Sequence, residues 1–178
     1  MTAALYTAIS RANPDLLPIT VETAKAHCRV DGDFDNLLIE SYIRAAVSYL
    51  ERKYRISIFK KRFEAVWIAP FTSVGKFILP VAEVSAIDEI EVFSGASKLN
   101  DFTLIGGEYF SYVRTFASGS DDFRIRFSAG WESSEDLPED IKILIAKLTT
   151  HYYENRGSTA DRDKLDFIVK DMMNHYRF

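Results

Sequence analysis

Asp31, Asp33 and Asp35 stand at alternate positions in the run DGDFDNLLIESYI (31–43). Three carboxylates so spaced raise calcium binding as the first chemistry to test. An EF-hand loop takes oxygen ligands at positions 1, 3 and 5, then needs a glycine at 6 and a bidentate glutamate at 12. Here position 6 is Asn36 and position 12 is Tyr42, so the turn residue and the chelating carboxylate are both missing. The run reads better as the approach to a helix. Asp33 or Asp31 would accept hydrogen bonds from the free N–H groups of the first turn, where acids also favour the positive end of the helix dipole. Gly32 allows the sharp bend into it.

Other reactive residues meet similar competing explanations. His27 and Cys28 are sequence neighbours, and adjacent residues on a helix do not face each other, so no Cys/His nucleophile pair is indicated. Cys28 reads as a small core residue. His27, His151 and His175 have no metal-ligand spacing to one another or to Cys28. IGGE (105–108) carries no phosphate-loop or dinucleotide fingerprint and reads as a hairpin turn. Glu132, Glu135, Asp136, Glu139 and Asp140 cluster around a helix start, as solvated capping acids do. KKR (60–62) reads as a solvated strand end. These patterns predict no catalytic residues, no cofactor and no metal. A small-molecule-binding α+β domain or weak hydrolase remains an alternative, and its pocket would lie near Trp67 and Trp131.

The elements that carry these residues follow from composition and periodicity. The 178 residues, 47% apolar and 27% charged, suit one domain, or one domain with an insertion. No apolar run approaches the roughly 20 residues of a membrane span. The start, MTAALYTAISRANPDLLP, lacks the basic and apolar regions of a signal peptide. A single cysteine suits a reducing compartment. The net charge of −4 argues against a tight non-specific grip on nucleic acid.

Residues 1–18 are weakly patterned and read as an N-terminal arm. Thr20 is a candidate N-cap, with Ile19 placed to staple, for a short helix running to about Val30. A second helix covers about 34–54 and carries two apolar stripes. One is Phe34, Leu37, Leu38, Tyr42, Ala45 and Tyr49; the other is Ile39, Ile43, Ala46 and Leu50. So wide an apolar surface predicts a helix that is central or faces two partners. From about 57 to 130 the pattern turns to five or six short β-rich runs divided by Pro, Gly, Ser and Asn. In DFRIRF, Phe123, Ile125 and Phe127 alternate with Arg124 and Arg126, which points one face inward and a basic one outward. A helix resumes after Pro138, with Glu139 and Asp140 in its first turn, and Gly157 stops it. A last short helix carries Leu165, Ile168, Val169 and Met172. The fold class predicted is α+β: a helical scaffold (19–56 and 137–178) with an inserted antiparallel β section (57–130).

Three stretches taken in order resemble a known family. They are PITVETAKAHCRVDGDFDNLLIESYIRAAVSYLERKYR (18–55), KFILPVAEVSAIDEIEVF (76–93), and IRFSAGW followed by LPEDIKILIAKLTTHYYENR (125–156). The set is similar to the head–tail connector proteins of long-tailed bacteriophages, also called adaptors or head-completion proteins, and to their relatives in gene transfer agents. The chain departs from the commoner form in a longer stretch around 95–122 and an extended C-terminus after Arg156.

The resemblance implies a structural virion protein, made in the bacterial cytoplasm and placed at the head–tail junction. Copies form a homo-oligomeric ring, about twelve in the family, through a heterologous contact that closes on itself. The ring sits beneath the portal protein, extends the DNA channel without sequence-specific binding, and docks a stopper or tail-completion protein. A stopper or tail-completion protein of the same particle is the nearest alternative. Within this reading the 34–54 helix would bury one stripe and offer the other to a neighbour, making Ile39, Ile43 and Leu50 candidate subunit contacts. Met172, Met173, Tyr176, Arg177 and Phe178 are candidates for docking the portal, since aromatics, Met and Arg are enriched at interfaces. The competing reading of that tail is that it closes the core of the last helix.

Overall fold

The computed structural model describes residues 5–10, 13, 15–68, 75–81, 89–106, 111–115, 121–156, 169–170 and 173. The chain divides into two compact units. One is built mainly from Met1–Pro14 and Arg55–Trp131, the other from Asp15–Tyr54 and Glu132–Arg177.

The second unit is helical. Helix α1 (Val21–Cys28) starts where Thr20, in extended backbone, accepts a hydrogen bond at Oγ1 from the Thr23 N–H, 3.1 Å away. That bond satisfies one of the donors a helix start leaves open. The helix stops at Arg29, whose left-handed backbone (φ 54°) turns its N–H back toward the Ala26 and Lys25 carbonyls. Helix α2 (Asn36–Tyr54) buries Ile39, Ile43, Ala46, Leu50 and Tyr54. Helix α3 (Glu139–Glu154) follows Pro138, holds Glu139 and Asp140 in its first turn, and buries Ile141, Leu144, Ile145, Ala146, Leu148 and Thr149. Both α1 and α2 pack on α3. The buried Thr149 hydroxyl donates to the Ile145 carbonyl, so it brings no orphaned polar group into the interior. Cys28 is buried, as expected, with its Sγ 3.6 Å from Thr150 Oγ1. Of the last helix, Val169, Lys170 and Met173 are described, and Val169 and Met173 are buried. Gly157, Leu165, Ile168 and Met172 lie outside the described residues.

The first unit contains two antiparallel sheets and eight strands among the described residues, more than the five or six runs the sequence suggests. A five-stranded sheet has the order β1 (Leu5–Ala8), β2 (Lys61–Trp67), β8 (Phe123–Ala129), β4 (Glu91–Ser94), β5 (Ser97–Leu99). A three-stranded sheet has the order β3 (Gly75–Ile78), β7 (Ser111–Thr115), β6 (Phe102–Gly106). Period-two alternation sets the inner face: Phe63, Ala65 and Trp67 of β2 lie beside Phe127, Ile125 and Phe123 of β8, residue for residue. These side chains join Val92 of β4, Phe77 of β3 and Val113 of β7 in one buried cluster that unites the two sheets. Phe77 and Phe123 stack at 4.0 Å between ring centroids, and Trp67 meets Phe77 edge-on at 5.1 Å.

Strand β1 lies in the segment read as an arm. All four of its residues are exposed, so it carries no burial alternation to find, yet it pairs along β2 from Leu5 opposite Val66 to Ala8 opposite Phe63. At the far end of β8, Gly130 (φ +105°) lets the chain pass the Phe59 backbone. A Cβ there would sit 2.5 Å from the Phe59 carbonyl oxygen.

Candidate assembly surfaces

The side chains of Asp31 and Asp33 do not cap α2. Asp33 Oδ1 accepts from Lys25 Nζ at 2.9 Å and from the Asn36 side-chain amide at 3.2 Å. Asp35 Oδ2 accepts from the Tyr153 hydroxyl at 2.5 Å and from the Arg156 guanidinium at 3.0 Å. The first-turn N–H of Asn36 and that of Ile39 go instead to the backbone carbonyls of Asp33 and Asp35. The two carboxylates therefore serve as a clasp across α1, α2 and the end of α3, and Asp33 is taken from the capping role expected of it. Hydrogen bonds from Tyr153 and then Arg156 hold the Asp35 carboxyl below its ordinary value, and those from Lys25 and then Asn36 do the same for Asp33. Asp31 is exposed and forms no ion pair with any described residue.

Helix α2 divides its two stripes the opposite way from the assignment suggested by the sequence. Ile39, Ile43 and Leu50 have no exposed surface. A side chain already enclosed by its own chain cannot also face a neighbour, so these three belong to the core. The stripe left at the surface begins with Phe34, fully exposed, and Leu37, 82% exposed. Tyr42 of the same stripe instead turns onto Tyr152 of α3, with ring centroids 6.1 Å apart. The sequence signal for the outer stripe was present in its spacing; what was missing was which side α3 would cover.

Of the tail residues, Met173 is buried, and Met172, Tyr176, Arg177 and Phe178 lie outside the described residues. Trp67 is 2% exposed and packs edge-on against Phe77 and Phe123. A groove of about 420 Å³ in the helical unit is lined by Leu17, Ile19, His27, Glu139 and Ile143 among others, with no Tyr or Trp in its lining.

The outward face of the five-stranded sheet carries the alternate residues of DFRIRF. Arg126 pairs with Glu64 at 2.7 Å, and Arg62 and Lys98 share Glu91 at 2.6 and 3.0 Å. Phe93 lies under two guanidinium groups, with Arg124 at 5.5 Å and Arg126 at 5.3 Å from its ring centroid. Arg124 donates to the Gly95 carbonyl at 2.9 Å and, among the described residues, has no carboxylate partner. Beside it on the same face, by register, stand Val66 and Leu5, with Ile68 two residues along β2. Leu5 is 64% and Ile68 57% exposed.

Residues 18–94, which run from the lead-in of α1 through β4, match the family model of the phage gp6-like head-tail connector protein. Over this segment the chain is similar to the head-tail connector family. No curated protein matches the chain in sequence. Among solved structures, the fold recurs in a chain from the neck of an empty GTA particle computed with C6 symmetry. That chain is 18% identical, with a TM-score of 0.71 over 97% of this chain and 95% of the other. A chain from the virion of a native gene transfer agent particle matches at 18% identity and TM-score 0.69, covering 97% and 95%. One from the neck of a native GTA particle computed with C12 symmetry matches at 19% identity and TM-score 0.68, covering 97% and 94%. The likeness thus extends through the β5–β8 strands and α3, beyond the segment the family model reaches.

Proposed function

We propose that this chain is the head–tail connector subunit of a phage or gene transfer agent particle, a structural protein with no catalytic task. Copies assemble as a ring beneath the portal, lengthen the channel through which DNA leaves the head, and dock a stopper or tail-completion protein. The observation that carries the reading is the whole-length likeness to neck chains of such particles, joined to the connector family match over residues 18–94. Two properties of the chain agree with it. Its net charge of −4 limits adhesion to passing phosphates. Each of its two units exposes large apolar side chains, Phe34 and Leu37 in the helical one and Leu5 and Ile68 in the other, as subunit contacts require.

Light scattering over a wide concentration range, with electron micrographs of the large species, tests the proposal. Closed rings of about a dozen copies with a central hole are the expected result, either free or on addition of purified portal. A protein that remains single at every concentration and is not recruited by the portal is no connector.

A further inference from the structure

Building on the ring reading, we infer that adjacent copies meet head to tail, with Phe34 and Leu37 of one copy seated against Leu5, Val66 and Ile68 of the next and Asp31 facing Arg124. The projecting side is the turn into α2. Phe34 is fully exposed, Leu37 one turn later is 82% exposed, and Asp31 and Asp33 flank them. The receiving side is the outward edge of the five-stranded sheet. There Leu5 lies opposite Val66, and Val66 opposite Arg124, on one face. Both surfaces are apolar at the centre, and their nearest charges are opposite in sign.

Charge decides the partner and the symmetry. The unit that carries Phe34 has twelve Lys and Arg against seventeen Asp and Glu, a net charge of −5. The unit that carries Leu5 has ten against nine, a net charge of +1. An isologous contact of the projecting side with itself would set Asp31 and Asp33 against their own copies. One of the receiving side with itself would oppose two Arg124 side chains. Each places like charges together, which disfavours association. Only the heterologous pairing brings unlike charges together, and a heterologous contact leaves one of each surface free on every open chain until a ring closes. A second copy of this chain therefore satisfies both surfaces at once.

Disulfide trapping tests the contact. Phe34→Cys and Ile68→Cys are made in separate proteins, both carrying Cys28→Ser, and far-UV circular dichroism confirms that each folds. Under mild oxidation, within the assemblies that form free or on the portal, each protein alone should stay unlinked. Their mixture should give dimers of one chain of each kind. A protein with both cysteines should give a ladder that ends at the ring mass. In a parallel measurement, Asp31→Arg should weaken self-association about tenfold and Asp31→Arg with Arg124→Asp should restore it.

Links within the Phe34→Cys protein alone would overturn the inference in favour of a symmetric pair. Rings that form without any link between the two positions would overturn it while leaving the connector reading intact, and would assign Phe34 to another neck protein. A protein that neither self-associates nor joins the portal would overturn both.

Discussion

The Tyr153 hydroxyl donates to the Asp35 carboxylate across 2.5 Å, joining residues 118 positions apart and tying the start of α2 to the last turn of α3. Arg156 adds a second donor to the same oxygen at 3.0 Å. These bonds favour the ionised carboxylate, so the Asp35 pKa in the folded chain lies below its unfolded value. The associated stability is present above the unfolded value and is lost as pH falls through the folded one. Asp35→Asn should therefore melt earlier than the parent at pH 7, and the two melting temperatures should converge as pH falls through the folded Asp35 value. A gap that stays constant with pH would remove the charge-based account. Asp33, Glu89 and Glu91, whose pKa values are also lowered, are shared by both proteins and cancel in the comparison.

The two stripes of α2 separate in stability measurements. Ile43→Ala empties a fully buried site and should cost about 2–5 kcal/mol in urea unfolding. Leu37→Ala, on the exposed stripe, should change stability by no more than about 0.5 kcal/mol. Equal costs at the two positions would contradict the assignment of faces.

Gly130→Ala places a Cβ on a backbone at φ +105° and 2.5 Å from the Phe59 carbonyl oxygen. The dihedral strain alone is worth about 1–3 kcal/mol, and the oxygen is backbone that cannot swing aside. The variant should unfold at clearly lower denaturant, with the loss concentrated in the β unit. Retention of the parent midpoint would show that the Phe59 strand yields freely.

Thr20→Ala removes the side-chain acceptor for the Thr23 N–H and should cost about 1 kcal/mol. Thr20→Ser keeps the oxygen and should recover most of that loss. Chemical denaturation of the three proteins side by side checks both.

What could be read in the sequence was what depends on near neighbours. Thr20 caps through a bond to the third residue beyond it, and Phe123, Ile125 and Phe127 alternate within a single strand; both were found by spacing. The unread parts depend on partners far along the chain. Nothing near Asp35 in the sequence announces its bond until Tyr153 is brought to it, and the choice between the Ile39 and Phe34 stripes waits on where α3 packs. Strand β1 was missed for a different reason. It is held by backbone hydrogen bonds to β2 while its four side chains remain in solvent, so side-chain pattern carries no record of it.

Both tryptophans of the chain, Trp67 and Trp131, fall in the β unit, whereas α1, α2 and α3 all fall in the other. Light absorbed at the red edge of the aromatic band therefore interrogates one unit, and helical ellipticity interrogates its companion, without any added label. A single heated sample followed by emission and by ellipticity reports two clocks at once. Coincident traces would mean that the two units melt as one cooperative body. Displaced traces would say which of them lets go first.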